Sequence, residues 1–380
     1  MSRLFTCLAL IAAAFAAPAL AASARPVSVV TEAPYQPTGV QQLTVHSARL
    51  NRDYVVVVSP PPPSPLAPPG GRLPAIYALD GGYGIAGPLA QMMVWAFMMQ
   101  PAYVISIGYP AGQEGARDAD FLHRTTIRDG ATIGGGGAAF QAFLADDLRP
   151  FLEARYPLDP AKAVLFGHSY GGLFAANVLA EAPTSFAGYV IASPSIFADP
   201  QLLARVTAAA ANGQGRRVFV AAGGKETDDH IAEDAKRLAA VLGSPRSTFV
   251  TQLRVFDGET HISYYPELVP AAFAWMLPIG PAAPRIERKA IAVTPEQLDR
   301  LVGAYSLADG RVVTVARKAD SLLAGMTGYP GGQVLAETPT RFFAPGLDVV
   351  MDFEVGPAGP ASAVVVRING AAFRAVRKRP

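Results

Sequence analysis

The sequence predicts an α/β fold: a mostly parallel sheet flanked by helices, followed by a small C-terminal all-β, barrel-like domain. Three observations point there. Between about residues 27 and 277, short runs rich in Val, Ile, Phe and Tyr alternate with helical patterns. Those runs are apolar throughout rather than at every second position, as strands buried on both faces are. Beyond Trp275 the helical pattern gives way to closely spaced β-rich runs separated by turn residues.

Taken in chain order, Tyr54–Ser59 and Leu73–Leu79 read as strands. The Pro- and Gly-rich stretch Pro60–Gly71 between them reads as an exposed loop with polyproline character. Tyr103–Gly108, Ala163–Gly167, Ala187–Ala192, Val218–Ala222 and Thr248–Phe256 continue the sheet. Phe140–Tyr156, Gly172–Ala182 and His230–Leu242 are the helical patterns between them, and Met92–Met99 is an apolar run of only a couple of helical turns. Residues 278–293, with their prolines and charges, suit a linker. Residues 294–380 hold roughly eight short strands, with turn signals at Asp309-Gly310, Gly331-Gly332 and Asn369-Gly370.

Composition bounds the rest. The 380 residues are 51% hydrophobic and 16% charged, which fits packed cores rather than disorder. A net charge of +2 with no long run of one sign gives no footprint for nucleic acid. The N-terminus has the form of a signal peptide over residues 1–21: Arg3, the apolar stretch Leu8–Ala17, then Ala19-Leu20-Ala21 before a mature start near Ala22. Residues 22–277 then form the catalytic domain of a periplasmic or secreted protein without a membrane anchor. Cys7, the sole cysteine, falls in the cleaved segment, which leaves no disulfide and no thiol metal site.

The chemistry centres on Gly167-His168-Ser169-Tyr170-Gly171. The motif alone is weak in a chain with 36 glycines, but a buried strand precedes it and a helix follows. That is the setting of a nucleophile elbow in an α/β-hydrolase fold, with Ser169 as nucleophile. A serine hydroxyl needs a base. His46 precedes the sheet, His168 is locked beside Ser169 with its ring packed or hydrogen-bonded, and His123 could at most line the pocket. Of the two histidines after the serine, His230 opens a helical run and suits a solvated or capping role. His261 follows the last strand on a loop, the edge where sites form in open α/β sheets. Three carboxylates compete to orient it: Glu226, first after the glycine turn and preferred, and Asp228 and Asp229, which also suit helix capping. Asp199 is a weaker fourth. The oxyanion hole would use the backbone amides of Tyr170 and Gly82, with Asp80 as a structural brace of its loop.

Four stretches carry a resemblance: Ala78-Leu79-Asp80-Gly81-Gly82, the run Leu165 to Phe174, Ala192-Ser193-Pro194-Ser195-Ile196, and Gly258-Glu259-Thr260-His261. Over roughly residues 27–277 the chain resembles the esterase family that includes enterobactin-type siderophore esterases, esterase D-like enzymes and mycolyltransferases. The resemblance implies Ser169 as nucleophile, His261 as base, Glu226 as acid, and Gly82 and Tyr170 at the oxyanion hole. Its siderophore branch implies a trilactone-type ester as substrate. The C-terminal residues, with Val302-Gly303-Ala304-Tyr305 and Arg341-Phe342-Phe343, resemble the lipocalin-like β-domain appended to many exported serine hydrolases.

The expected activity is hydrolysis of a small-molecule carboxylic ester through an acyl-serine intermediate, with no metal or organic cofactor. A serine acyltransferase, a hydroxycinnamoyl or acetyl carbohydrate esterase, and a non-catalytic binding protein are the alternatives. The departures from close relatives, Phe197-Ala198 after Ile196 and the Arg124–Gly137 loop, fall where substrate would be held.

Overall fold

The computed structural model describes residues 39–64, 66–68, 70–279, 287–368 and 371–378, and these belong to one compact unit spanning Gly39–Pro380. The expected signal peptide, Cys7, the Asn369-Gly370 turn and part of the linker lie outside the described residues.

The principal sheet contains β1 (Gln41–Ser47), β2 (Arg52–Ser59), β3 (Leu73–Ala78) and β4 (Tyr103–Gly108). A separate hairpin, β5 (Thr125–Arg128) and β6 (Ala131–Gly134), interrupts it before β7 (Leu158–His168), β8 (Gly188–Ala192), β9 (Arg217–Gly223) and β10 (Val250–Phe256). The spatial order is β1-β2-β4-β3-β7-β8-β9-β10. The pairs β1/β2 and β2/β4 are antiparallel, and the pairs from β4 through to β10 are parallel. Every residue of β8 is buried, as the continuous apolar run predicts. The sequence reading missed β1, whose mainly exposed, alternating residues mark an edge strand.

Helices cover both faces. On one lie α1 (Ala86–Trp95) and α8 (Tyr265–Met276), with a core including Met93, Phe166, Phe219 and Phe273. On the other lie α2 (Ala116–Phe121), α3 (Gly137–Ala142), α4 (Arg149–Arg155), α5 (Tyr170–Glu181), α6 (Leu202–Ala209) and α7 (Ile231–Leu242). Their core includes Tyr54, Phe140, Phe174 and Leu238. Burying both faces in this way is what a parallel sheet requires, since neither side presents polar residues to water.

After the capped helix α9 (Pro295–Asp299), strands β11 (Gly303–Ser306), β12 (Val312–Lys318), β13 (Ser321–Met326) and β14 (Tyr329–Ala336) begin a barrel. It continues through β15 (Arg341–Phe343), β16 (Val349–Glu354), β17 (Ala363–Ile368) and β18 (Ala371–Arg377), and closes by pairing β11 with β18. Closure removes both sheet edges. Gly331-Gly332 is not a turn, contrary to the sequence reading: it lies inside β14, and the reversal falls at Gly328 (φ 83°).

Two further expectations change. The stretch 60–71 is not simply exposed: Ser64 is buried, Leu66 packs against the barrel core, and Pro63 O accepts a bond from Arg311 Nη1 (3.3 Å). The apolar run Met92–Met99 owes its character to two partners. Met93 and Val94 pack under the sheet, while Phe97 (φ 55°) is buried in the barrel core. Among the described residues no helix is long and apolar enough to cross a membrane.

Candidate active site

β7 ends at His168 and α5 begins at Tyr170, so one residue, Ser169, makes the whole turn. It does so at φ 59°, ψ −122°, a conformation that costs an L-residue of order 1–3 kcal/mol. The neighbouring glycines make this possible. A Cβ on Gly167 would lie 1.9 Å from Gly171 O, and one on Gly172 would lie 2.5 Å from Ala192 O. The Ser169 amide donates to Ala192 O (3.0 Å) and its Oγ stands 3.5 Å from Ser195 Oγ.

The ends of β9 and β10 bring the Glu226 carboxylate and the His261 imidazole together. The Gly224 amide donates to Phe256 O and the Lys225 amide to Glu259 O, both at 2.8 Å. A Cβ on Gly223 would come within 2.7 Å of the carbonyls of Glu259 and Thr260, so the two loops meet only over a glycine. Across this seam His261 Nδ1 bonds Glu226 Oε2 at 2.7 Å. The other Glu226 oxygen accepts from Ser193 Oγ (2.6 Å) and the Gly223 amide (2.5 Å). Since the carboxylate only accepts, Ser193 spends its proton there, and Tyr264 Oη must donate to Ser193 Oγ (2.5 Å). Burial alone would raise the Glu226 pKa, but the bonds from His261, Ser193 and Gly223 outweigh it and hold the group below its ordinary value.

His168 supports the base loop rather than competing with it. Its Nε2 bonds His261 O (2.7 Å), its Nδ1 meets Tyr83 Oη (3.2 Å), and its ring lies 4.5 Å from that of His261. Burial, reinforced by the neighbouring His261, pulls its pKa down to about 3. It is therefore neutral at physiological pH. Among the described residues no hydrogen bond joins Ser169 Oγ to His261.

The remaining candidates separate clearly. Asp229 is exposed with φ 52°, and His230 stands at the N-cap position of α7 at φ 57° without a side-chain cap bond; Asp228 belongs to the same short turn. Asp199 is bound by Arg205 (2.6 Å). His123 is buried against Phe174 and bonds Gln141 (3.1 Å), and His46 pairs with Asp53 (2.7 Å). Asp80 holds Arg117 through Oδ1 (2.5 Å) and Oδ2 (3.1 Å), bracing its loop. Burial pushes its pKa up against the pull of that guanidinium. Arg117 and Arg128 both lean over the Tyr170 ring, at 5.4 and 5.9 Å, and Tyr83 and Phe197 expose their rings to solvent.

The oxyanion expectation needs revision at one residue. The Gly82 amide donates to Leu79 O (2.9 Å), and its Cα faces inward, where a Cβ would meet Ala86 at 2.8 Å. The Gly81 and Tyr170 amides have no partner of this kind among the described residues. Sequence reasoning also missed Ser193 and Tyr264. Ser193 follows β8 at φ 41°, but serine at a strand end gives no signal of its partners. Among the described residues no group of three or more His, Cys, Asp and Glu side chains is arranged to hold a metal.

Comparison with known proteins agrees with this architecture. The family model described as Putative esterase matches residues 47–275. Ferri-bacillibactin esterase BesA of Bacillus subtilis is 32% identical over 276 residues, covering 64% of this chain and 91% of the relative. The siderophore triacetylfusarinine C esterase of Aspergillus fumigatus is 35% identical over 138 residues, 33% of this chain and 46% of that one. Among solved structures, the BES protein from Bacillus cereus superposes with a TM-score of 0.58 at 24% identity, covering 66% of this chain and 99% of that one.

Proposed function

We propose a mechanism and substrate class from the premise that the chain belongs to the esterase family whose model spans residues 47–275, and is a hydrolase of that family. Ser169 is the nucleophile, His261 the base and Glu226 the acid that orients it. The observation that carries this reading is the 2.7 Å bond from His261 Nδ1 to a buried, hydrogen-bonded Glu226, beside a serine on a strained strand–helix turn.

Glu226 fixes the imidazole with Nδ1–H toward itself, leaving Nε2 free to take the serine proton. Attack on the ester carbonyl gives a tetrahedral oxyanion, received by the Tyr170 amide and, because Gly82 is engaged with Leu79, by the Gly81 amide. Collapse expels the alcohol with the proton carried by His261. Water, activated by the same imidazole, then releases the acid. The substrate is a siderophore-type ester or lactone, as the names of the relatives suggest, met outside the cytoplasm after cleavage near Ala22.

The test is a hydrolysis screen of trilactone siderophores, aryl acetates and hydroxycinnamoyl sugars, run beside fluorophosphonate labelling and the mass of the exported protein. Wild type should label at Ser169. Ser169→Ala should neither label nor turn over, with a loss on the order of 10⁴-fold or more and an unchanged circular dichroism spectrum. A variant retaining near-normal rates removes the assignment. A siderophore left intact while another ester is cut removes the substrate class alone, and an intact residue 1–21 segment on exported protein removes the cleavage.

A further inference from the structure

We propose that the barrel and the segment after α1 together form a binding site for one neutral, apolar small molecule, separate from the Ser169 site. A cavity of about 530 Å³ lies in the barrel, walled by Val313, Met351, Val366 and Phe373, and the catalytic part of the chain supplies Trp95 and Phe97 to the same wall. It shares no lining residue with Ser169, Glu226 or His261.

Part of the space exists because β14 carries Gly332 where a side chain would enter it. Strand alternation puts Gly332 on the interior face with Val334 and Ala336, both buried. A Cβ on Gly332 would meet nothing within 4 Å. At the wall the rings are ordered: Tyr329 stacks on Trp95 and on Phe97, each at 5.2 Å, and Phe97 stacks on Phe373 at 5.9 Å. Trp95 Nε1 is anchored on Gly328 O (3.0 Å).

The volume falls within the roughly 300–1,000 Å³ of small-molecule sites. Water there would find few hydrogen-bond partners, so an apolar occupant displaces poorly satisfied solvent. Two features set the ligand's polarity. Asp348, exposed to solvent, is the one charged residue of the described lining, so the wall offers no cation to pair an anionic head group. The Tyr329 hydroxyl is buried, with the Arg311 guanidinium beside it 6.0 Å from the ring, and offers one polar handle. The site therefore takes an uncharged molecule with an extended apolar body and few polar groups.

The test titrates the full-length protein with N-phenyl-1-naphthylamine, a neutral apolar fluorophore. A saturable one-to-one enhancement is expected, with quenching of Trp95 that disappears in Trp95→Phe. Gly332→Trp, which fills the cavity, should weaken binding by about tenfold or more while circular dichroism and aryl-ester hydrolysis stay unchanged. Ala324→Trp provides a second filling variant should the first misfold. Anionic 1-anilinonaphthalene-8-sulfonate should bind more weakly. Absence of saturable binding, unchanged affinity in folded filling variants, or equal affinity for the anionic dye overturns the proposal. Loss of dye binding on phosphonylation of Ser169 also overturns it, by placing the dye in the hydrolytic site.

Discussion

Glu226 and Asp229 stand three residues apart and have opposite surroundings. Glu226 is buried and accepts bonds from His261, Ser193 and the Gly223 amide, whereas Asp229 faces solvent at the start of α7. Glu226→Gln keeps the shape but presents an amide to the imidazole, favouring the wrong tautomer. Its kcat/KM should fall roughly 10³- to 10⁴-fold, while Asp229→Asn should leave it nearly unchanged. Steady-state kinetics on one aryl ester decides, and equal modest losses would instead favour a Ser169–His261 pair working without an acid. The sequence placed Glu226 first among three carboxylates because it follows the glycine turn. It could not show why burial fails to neutralise it, because Ser193 donates to it from 33 residues away and Tyr264, 71 residues from Ser193, bonds Ser193 in turn.

At the scale of elements, the β9–β10 seam sets the distance between Glu226 and His261. Gly223→Ala would thrust a methyl group against the Glu259 and Thr260 carbonyls and push the His261 loop off Glu226. Activity should fall by tenfold or more, with Tm lowered by only a few degrees because the seam lies at a sheet end. Parallel measurements of kcat/KM and thermal unfolding test this; an active variant would mean that the loop relaxes freely. Elements with a buried apolar centre were legible: β4 has the bounds expected from its apolar run. Edge and junction elements were not. β1 is mostly exposed and looks like loop, and the Gly331-Gly332 pair reads as a turn because a glycine pair inside a strand has no local signature that separates it from one.

For the molecule as a whole, His168 makes stability depend on pH. The folded state holds it neutral with a pKa near 3, while the unfolded chain protonates it near 6.5. The unfolded state therefore binds the extra proton between those values. The stabilisation is fully present above about pH 6.5 and is lost progressively as pH falls toward 3, by up to a few kcal/mol. Denaturant midpoints at pH 7 and pH 5 should fall in wild type, and fall less in His168→Gln; equal slopes would refute it. The two-part layout of the chain was legible from the change in strand and helix rhythm near Trp275. The joint was not, since Phe97 belongs by sequence to the first part and by packing to the barrel.

The turn at Ser169 has a last consequence. Its backbone has a conformation in which a residue without a side chain would rest more easily. Folding alone thus prefers glycine to serine at this position. In the proposed mechanism the serine is required there, and the packed cores supply the margin that holds it in place.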